Sequence, residues 1–336
     1  MRVPAIVYRP KKSGQNRPAF IVVNGHGGDK YSWYAYWTGI SFARLGAVVL
    51  TYDPIGEGER NILHKSGTRA HDTYVPPDEM GRRMGGFMIT DISQAVSYLS
   101  QRDDVDPKRI AAGGYSMGSF ILSLACAVET RLRACVLVGG GNLDGPGGYW
   151  DSSSKKMCQS LPYRALEFLG DRPAAIYALQ AKHTATLIYN GSADETVDIV
   201  HMGEAFFHDL RERTIRRAGS AAGVFDYAFL NGTGHRPYWV TAPVAEWLHK
   251  QLAFPYWKTL RTTHIGEWAK ANGIAMDKQY ATEHREGGTL AVGSDVPHID
   301  REELNVMPEN EWTIQKDRFI LEQWLAATKT RLTETK

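Results

Sequence analysis

Short apolar segments that alternate with helical patterns most restrict how this chain can fold. The apolar segments are continuous rather than alternating, which is typical of strands that are buried on both faces. They are PAFIVVN (18–24), AVVLTYD (47–53), RIAAGGY (109–115), RACVLVGGG (133–141), ATLIYNG (185–191) and FDYAFLNG (225–232). Helical patterns occur at 31–45, 88–101, 117–128, 199–213 and 238–252. This order predicts an α/β fold with a mostly parallel central sheet and helices on both faces.

The composition is that of an ordinary globular protein, and it argues against a nucleic-acid-binding protein and a membrane protein. Of the 336 residues, 39 are Lys or Arg and 37 are Asp or Glu, so no nucleic-acid partner is expected. No apolar run has the length of a membrane span, so no membrane partner is expected either. The opening MRVPAIVYRPKKSGQ lacks the apolar core of a signal peptide. The three cysteines, Cys126, Cys135 and Cys158, show no metal-binding spacing, and we expect them to be reduced.

Two segments depart from the alternation of strands and helices. Residues 142–183 contain NLDGPGGYWDSSSKK, and we predict that they form an insertion at the rim of the sheet's carboxyl edge, where ligands of parallel sheets bind. Residues 254–336 follow the last strand and helix and carry helical patterns near 265–272 and 317–328. We therefore predict one α/β domain over residues 1–253 and a C-terminal extension that packs on it.

The pentapeptide Gly114-Tyr115-Ser116-Met117-Gly118 lies between a predicted strand and a predicted helix. In a G-x-S-x-G turn of this kind, the small flanking residues let the strand and the helix approach closely, and the serine projects at the carboxyl end of the sheet. Ligands of parallel sheets bind at that edge. We therefore predict Ser116 as a nucleophile and the Met117 N–H as a donor to an oxyanion. The alternative is a glycine-rich turn with an exposed serine.

A serine nucleophile needs a general base, and a histidine held by a carboxylate is the expected partner. Among the 11 histidines, His235 follows the last predicted strand, in NGTGHRPYW. The acid is expected after the preceding strand, where LIYNGSADETVDIV offers three carboxylates. Asp194 lies in the turn and is preferred, with Glu195 as the second choice. Asp198 is better suited to the N-terminus of the next helix.

The glycine-rich loop NGHGGDK (24–30) follows the first core strand. Glycines let backbone N–H groups approach a substrate oxygen closely, so the second oxyanion donor is expected at His26 or Gly27. The imidazole of His26 either lines the pocket or is solvated. Tyr149 and Trp150 of the predicted rim insertion either bind the substrate or pin the insertion to the core.

Other charged residues near these loops have weaker assignments. In YDPIGEGERN, Arg60 is expected to brace the loop by a salt bridge, although Glu57 or Arg60 could instead contact substrate. Arg82 and Arg83 precede a predicted helix and suit a solvated charge pair better than a carboxylate site. No His, Asp or Glu cluster has the spacing of a hydrolytic metal site, so we expect no metal and no cofactor.

These loops together resemble the α/β-hydrolase superfamily over about residues 3–253. The segments NGHGGDK, YDPIGEGER, DPKRIAAGGYSMGS, NGSADETV and GTGHRPYW are similar to the acetyl xylan esterase and dienelactone hydrolase branch, and most to bacterial acetylxylan-esterase-like hydrolases. The resemblance implies an α/β-hydrolase fold with Ser116 as nucleophile, Asp194 as acid and His235 as base. It also implies an ester hydrolase that acts on small-molecule or carbohydrate esters such as acetylated sugars.

The chain departs from this family pattern in two places. Asn24 stands where many relatives have a histidine or an aromatic residue. Relatives are often secreted or periplasmic and begin with a signal peptide and a strand pair, of which VPAIVYRP resembles only the second strand. Two further classes stay open, a serine peptidase of the prolyl-oligopeptidase type and a catalytically inactive binding module. Dienelactone hydrolases often use cysteine where this chain has Ser116.

Overall fold

A seven-stranded sheet forms the centre of the protein. The computed structural model describes residues 1–65, 67–74, 78–142, 157–219, 223–235, 239, 241–257, 308–315 and 318–334. The strands are β1 (Ala5–Tyr8), β2 (Arg17–Val23), β3 (Val48–Tyr52), β4 (Val105–Tyr115), β5 (Leu132–Val138), β6 (Ala185–Gly191) and β7 (Phe225–Leu230). Their order is β1-β3-β2-β4-β5-β6-β7. β1 runs antiparallel to β3 and all other neighbours are parallel. The predicted α/β fold is confirmed.

Helices cover both faces of this sheet. The described helices are α1 (Trp33–Arg44), α2 (Asp78–Ser100), α3 (Met117–Val128), α4 (Ser160–Arg164), α5 (Arg172–Gln180), α6 (Ile199–Ala218), α7 (Ala242–Leu252), α8 (Glu309–Gln315) and α9 (Leu321–Glu334). α1 and α7 pack on one face, and α2, α3, α5 and α6 pack on the other. Within the described residues, no helix has the combined length and apolarity that a membrane crossing needs.

The alternation of side chains along β2 explains why the strand segments are continuously apolar. Ala19, Ile21 and Val23 point into the cluster beneath α2 and α3. Phe20 and Val22 point into the cluster beneath α1 and α7. Successive side chains of a strand face opposite sides of the sheet, so a strand that is covered on both sides needs apolar residues at every position.

The largest boundary difference concerns α2, which begins at Asp78, well before the predicted start at residue 88. Arg82 and Arg83 therefore lie inside a helix rather than ahead of one. α7 begins later than predicted, at Ala242, after Thr241 as its N-cap residue and with a proline in its first turn. Proline suits that position because the first-turn N–H groups of a helix have no partner within the helix.

Part of the predicted rim insertion belongs to the core. α5 lies within 142–183, and its Ile176 and Tyr177 are buried in the cluster beneath α2 and α3. Asp171 caps this helix by accepting a hydrogen bond from the Ala174 N–H at 3.4 Å. This half of the segment is a helix of the covering layer. Residues 143–156, which include the predicted Tyr149 and Trp150, lie outside the described residues.

The described part of the C-terminal segment contacts the main sheet domain. Leu321 of α9 is buried in the larger core cluster, and the Trp324 ring meets the Phe87 ring of α2 edge to face at 5.1 Å. The Arg2 N–H donates to the Arg318 carbonyl at 3.1 Å. The helical pattern near 317–328 corresponds to α9, whereas the one near 265–272 lies outside the described residues.

Candidate active site

A strained turn between β4 and α3 carries the predicted nucleophile. Ser116 has φ +52°, which is the left-handed region that residues with a side chain rarely adopt. A Cβ at Gly114 would lie 2.5 Å from the Gly118 carbonyl oxygen, and one at Gly118 would lie 2.2 Å from the Val23 carbonyl oxygen. Only glycine fits at these two positions, so the small residues of the motif allow the close strand–helix approach. The Ser116 N–H is held by the Val138 carbonyl at 2.8 Å.

The three residues expected to form a catalytic triad lie in contact. Ser116 Oγ is 2.9 Å from His235 Nε2, and His235 Nδ1 is 2.7 Å from Asp194 Oδ2. The buried carboxylate of Asp194 can only accept a hydrogen bond, so the proton belongs on Nδ1. Nε2 therefore presents its lone pair to the serine hydroxyl. The sheet brings these residues together because they follow β4, β6 and β7 at the same edge.

Among the three candidate acids, Asp194 is the one that contacts His235. Its second oxygen, Oδ1, accepts hydrogen bonds from the Thr196 N–H at 2.8 Å and the Val197 N–H at 3.3 Å. Glu195 is exposed. Asp198 is the N-cap residue of α6, and its side chain pairs with His201. Hydrogen bonds on both oxygens fix the orientation of the Asp194 carboxylate and, through it, that of the imidazole.

Gly139 shapes the space around the His235 ring. It has φ +62°, and a Cβ there would lie 3.0 Å from His235 Cε1. On another side of the ring, Tyr115 lies with its centroid 5.4 Å away. Gly139 was not among the residues predicted from the sequence. The run of three glycines after β5, at 139–141, was a signal for backbone close to a functional side chain.

The loop of residues 24–30 packs directly against the nucleophile turn. A Cβ at Gly25 would lie 2.8 Å from the Tyr115 carbonyl oxygen and 3.1 Å from Ser116 Cβ. The Gly27 N–H, one of two predicted oxyanion donors in this loop, instead donates to Glu57 Oε1 at 3.1 Å. Both residues were predicted as possible donors, and the structure contradicts Gly27 because its N–H is already used in the support of the loop. The remaining candidate oxyanion donors are the backbone N–H groups of His26 and Met117.

Buried polar contacts hold this loop against the end of β3 and the segment that follows it. Asn24 Nδ2 donates to the Tyr52 carbonyl at 2.8 Å, so the residue that departs from the family pattern ties β2 to β3. Lys30 Nζ lies 2.7 Å from Asp53 Oδ2 and 2.8 Å from Glu59 Oε2, and the Lys30 side chain is 4% exposed. An ion pair with so little solvent is screened weakly and restricts the end of the loop.

In the segment after β3, Glu57 supports the loop of residues 24–30, whereas Arg60 braces its own segment against α2. Glu57 Oε1 accepts hydrogen bonds from the Gly27 and Arg69 N–H groups, both at 3.1 Å. Burial raises the pKa of Glu57 to about 8. Arg60 is buried, and its Nη1 lies 2.5 Å from Asp91 Oδ2. The expected salt bridge of Arg60 is therefore present, and neither side chain is exposed to an incoming substrate.

The imidazole of His26 is buried among other potential ligand atoms. Its ring stacks on the ring of His71 at a centroid distance of 5.3 Å and an interplanar angle of 10°. Its Nε2 lies 3.6 Å from Cys158 Sγ and 3.6 Å from Asp72 Oδ1. Burial lowers the pKa of His26 to about 4, so the ring is neutral near neutral pH. His26, His71, Asp72 and Cys158 are the described residues that could hold a metal.

The fold and the Ser–His–Asp geometry define a serine hydrolase of the α/β-hydrolase type. The sequence profile of the prolyl oligopeptidase family matches residues 77–260, which is more than half of the chain. The protein belongs to that family. The matched range contains Ser116, Asp194 and His235.

The chain is also similar to individual proteins that are named as hydrolases. The chain is 29% identical to the putative hydrolase YtaP of Bacillus subtilis over 227 residues, which cover 57% of this chain and 74% of that protein. It is 25% identical to the thiohydrolase apmlB of Arthrinium phaeospermum over 194 residues, which cover 54% of this chain and 57% of the fungal protein. Both relatives carry hydrolase names, and neither name is that of an acetyl xylan esterase.

Solved structures share the fold at low sequence identity. TT1662 of Thermus thermophilus aligns with a TM-score of 0.52 at 17% identity, covering 74% of this chain and 98% of the other. Est1E of Butyrivibrio proteoclasticus, solved with ferulic acid bound, aligns with a TM-score of 0.51 at 18% identity, covering 75% and 96%. Likeness at this level establishes the fold and says nothing of the substrate.

Proposed function

We propose that this protein hydrolyses carboxylic esters through an acyl-enzyme on Ser116. One observation carries the proposal, namely the continuous chain of contacts from Ser116 Oγ through the His235 ring to Asp194 Oδ2, at 2.9 and 2.7 Å. A serine hydroxyl becomes an effective nucleophile when a base takes its proton as the bond to carbon forms. His235 Nε2 is positioned for that transfer, and Asp194 stabilises the imidazolium that results.

The two half-reactions use the same groups in turn. Ser116 Oγ attacks the ester carbonyl while its proton passes to His235 Nε2, and the proton then passes to the departing alkoxide, which leaves as an alcohol. Water attacks the acyl-enzyme next, giving one proton to His235, and Ser116 regains a proton as the acid leaves. The N–H groups of Met117 and His26 are the candidate donors to the oxyanion in both halves.

Acetylated sugars or polysaccharide fragments are the proposed substrates. The support is the resemblance of five loops to acetylxylan-esterase-like hydrolases. A small acetyl group would need little space beside the nucleophile, and the sugar would extend from the carboxyl edge of the sheet.

A peptidase activity is the second candidate, because the family whose profile matches residues 77–260 is that of prolyl oligopeptidase. An amide requires the same nucleophile and base, with protonation of a more basic leaving group by His235. The third candidate, a catalytically inactive binding module, is disfavoured because Ser116, His235 and Asp194 are in contact.

A matched substrate panel separates these candidates. The purified chain and its Ser116→Ala variant are assayed with p-nitrophenyl acetate, p-nitrophenyl butyrate, acetylated xylo-oligosaccharides and proline p-nitroanilide. We expect Ser116-dependent hydrolysis of the acetyl esters with the highest kcat/KM. A higher kcat/KM for the anilide would assign the protein as a peptidase, and hydrolysis of p-nitrophenyl acetate without release of acetate from the oligosaccharides would reject the sugar proposal. No Ser116-dependent turnover of any substrate would contradict the esterase proposal.

A further inference from the structure

Four potential metal ligands from separate parts of the chain lie close together at the loop of residues 24–30, which we call the oxyanion loop because it carries the candidate donor His26. His26 comes from the loop after β2, His71 and Asp72 from the 3-10 helix Ala70–Tyr74, and Cys158 from the segment before α4. One ligand atom of each residue lies within 4.8 Å of every other. None of the four residues belongs to the Ser–His–Asp triad, so the cluster needs an explanation of its own.

Three distances within this cluster are those of a coordination shell, and one of them, between His26 and Cys158, is also that of a hydrogen bond between nitrogen and sulfur. His26 Nε2 lies 3.6 Å from Cys158 Sγ and 3.6 Å from Asp72 Oδ1, and His71 Nε2 lies 3.3 Å from Asp72 Oδ1. Hydrogen bonds between nitrogen and oxygen are commonly about 2.9 Å long. In a tetrahedral zinc site with ordinary bond lengths, neighbouring ligand atoms are separated by about 3.4 Å for nitrogen and oxygen and about 3.6 Å for nitrogen and sulfur.

Two buried atoms of the cluster have no hydrogen-bond partner. They are His71 Nε2 and Asp72 Oδ1, and the His71 side chain has no exposed surface. His71 Nδ1 lies 2.7 Å from the Ile55 carbonyl oxygen, which can only accept, so the proton of this imidazole belongs on Nδ1. The lone pair of Nε2 is thereby directed into the cluster. A backbone carbonyl that orients a histidine in this way is typical of metal sites.

The surroundings suit a divalent cation. Arg69 Nη2 pairs with Asp72 Oδ2 at 2.5 Å, which orients the carboxylate and leaves Oδ1 facing the two imidazoles. The Cys158 thiol donates to Gln159 Oε1 at 3.1 Å and would give up this proton to bind a metal as a thiolate. One thiolate and one carboxylate would bring two negative charges to a divalent ion, and the Arg69 guanidinium adds one positive charge on the far oxygen of the carboxylate. Asp72, with 28% of its side chain exposed, provides the entry route.

We propose that His26, His71, Asp72 and Cys158 bind one zinc ion that fixes the oxyanion loop. Four protein ligands close the coordination sphere, which is typical of structural rather than catalytic zinc. The ion would link His26 of the oxyanion loop to Cys158, whose Sγ lies 3.8 Å from the Sδ of Met117, the other candidate oxyanion donor. The sequence predicted no metal because positions 26, 71, 72 and 158 form no motif along the chain.

Cobalt substitution tests this proposal without reference to activity. The full chain is stripped with a chelator, dialysed and titrated with Co²⁺ while its absorption spectrum is recorded. We expect about one equivalent to bind, with the thiolate charge-transfer band and strong visible bands of tetrahedral cobalt, and Zn²⁺ to displace it. A folded wild-type chain that binds neither Co²⁺ nor Zn²⁺, or binds them without a thiolate band, overturns the proposal.

Matched variants locate the site. Cys158→Ser and His71→Gln remove ligands, whereas Cys126→Ser and His208→Gln change another buried cysteine and an exposed histidine of α6. We expect Cys158→Ser to lose the charge-transfer band and both ligand variants to bind at least about 10-fold more weakly. Zn²⁺ should raise the Tm of the wild type and of the controls but not that of the ligand variants. A cobalt spectrum of Cys158→Ser that is unchanged from the wild type overturns the assignment. If Cys158→Ser does not fold, an unchanged spectrum of His71→Gln overturns it instead.

Discussion

The triad and the His26 cluster are both groups of titratable side chains beside the nucleophile turn, but their contacts differ. In the triad, His235 makes a contact of hydrogen-bond length on each ring nitrogen, at 2.9 Å to Ser116 and 2.7 Å to Asp194. In the cluster, the closest heteroatoms are 3.3 to 3.6 Å apart, and two of them have no hydrogen bond. The first arrangement suits proton transfer, and the second suits the coordination of an ion between the side chains.

The two groups also differ in what positions them. Each triad residue follows a parallel strand, so the hydrogen bonds of the sheet determine where its side chain lies. The cluster residues come from the 24–30 loop, a 3-10 helix and the stretch before α4. Such segments have fewer backbone bonds of their own and need side-chain contacts, or a bound ion, to hold one arrangement.

Loss of the nucleophile should have the largest effect on catalysis. We expect Ser116→Ala to lower kcat for esters by about 10⁴-fold or more, because the acyl-enzyme cannot form. Ser119→Ala is the matched control, since Ser119 is a buried serine in the helix that follows Ser116 and lies outside the triad, and it should retain activity. The measurement is steady-state hydrolysis with Tm as a check on folding. Wild-type turnover by pure, folded Ser116→Ala would remove Ser116 from the mechanism.

Replacement of the acid should have the next largest effect. Asp194→Asn should lower kcat by about 10³- to 10⁴-fold, because the amide can donate a hydrogen bond to Nδ1 and so favour the wrong tautomer of His235. Glu195→Gln changes an exposed neighbour and should alter kcat by less than about twofold. If Glu195→Gln were the more damaging change in the same assay, the acid would be assigned to the wrong residue.

The space beside His235 should be sensitive to a single methyl group. Gly139→Ala would place a Cβ 3.0 Å from His235 Cε1 at a residue with φ +62°. We expect a loss of about 10- to 100-fold in kcat from displacement of the ring. Gly170→Ala is the control, because Gly170 has φ +71° but no atom within 4 Å of the added Cβ. Equal kcat in the two variants would show that Gly139 does not position the histidine.

The smallest predicted effect concerns stability and its dependence on pH. Burial raises the pKa of Glu57 from 4.5 to about 8, so the folded state keeps a proton that the unfolded state releases. Stability should therefore fall as the pH rises between these two values and then become constant. Gln keeps an oxygen for the Gly27 and Arg69 N–H groups and has no charge, so Glu57→Gln should remove this fall.

The corresponding measurement is Tm from about pH 5 to about pH 9. We expect the decrease of the wild type over this range to shrink by a few degrees in Glu57→Gln. Glu167→Gln, at an exposed position, is the control and should follow the wild type. Parallel Tm curves for Glu57→Gln and the wild type would show that Glu57 is ionised in the folded protein.

The regular part of the fold could be predicted from the sequence because its signals are local. Continuous apolar runs predict strands covered on both faces, and the G-x-S-x-G motif predicts a tight turn at Ser116. The order of the strand ends then predicts the contact between His235 and Asp194 that the structure contains. The early start of α2 could not be predicted, because residues 78–87 contain three glycines and several charged residues that weaken a helical pattern.

The parts that could not be predicted depend on contacts between distant segments. α5 was assigned to a rim insertion because glycines and serines precede it, yet Ile176 and Tyr177 are buried in the core. The use of the Gly27 N–H by Glu57 depends on where the segment after β3 folds back. The neighbours of His26 lie 45 or more positions away along the chain, so no spacing rule could bring them together.

Covalent labelling tests the central claim, that Ser116 forms an acyl-enzyme with the aid of His235 and Asp194. The wild type, Ser116→Ala and Ser119→Ala are treated with a fluorophosphonate, which transfers its phosphonyl group to an activated serine and releases fluoride. Intact mass and peptide mapping then locate the adduct. The account predicts one adduct, on Ser116, in the wild type and in Ser119→Ala, and none in Ser116→Ala. An adduct on another residue, or equal labelling of Ser116→Ala, would contradict it.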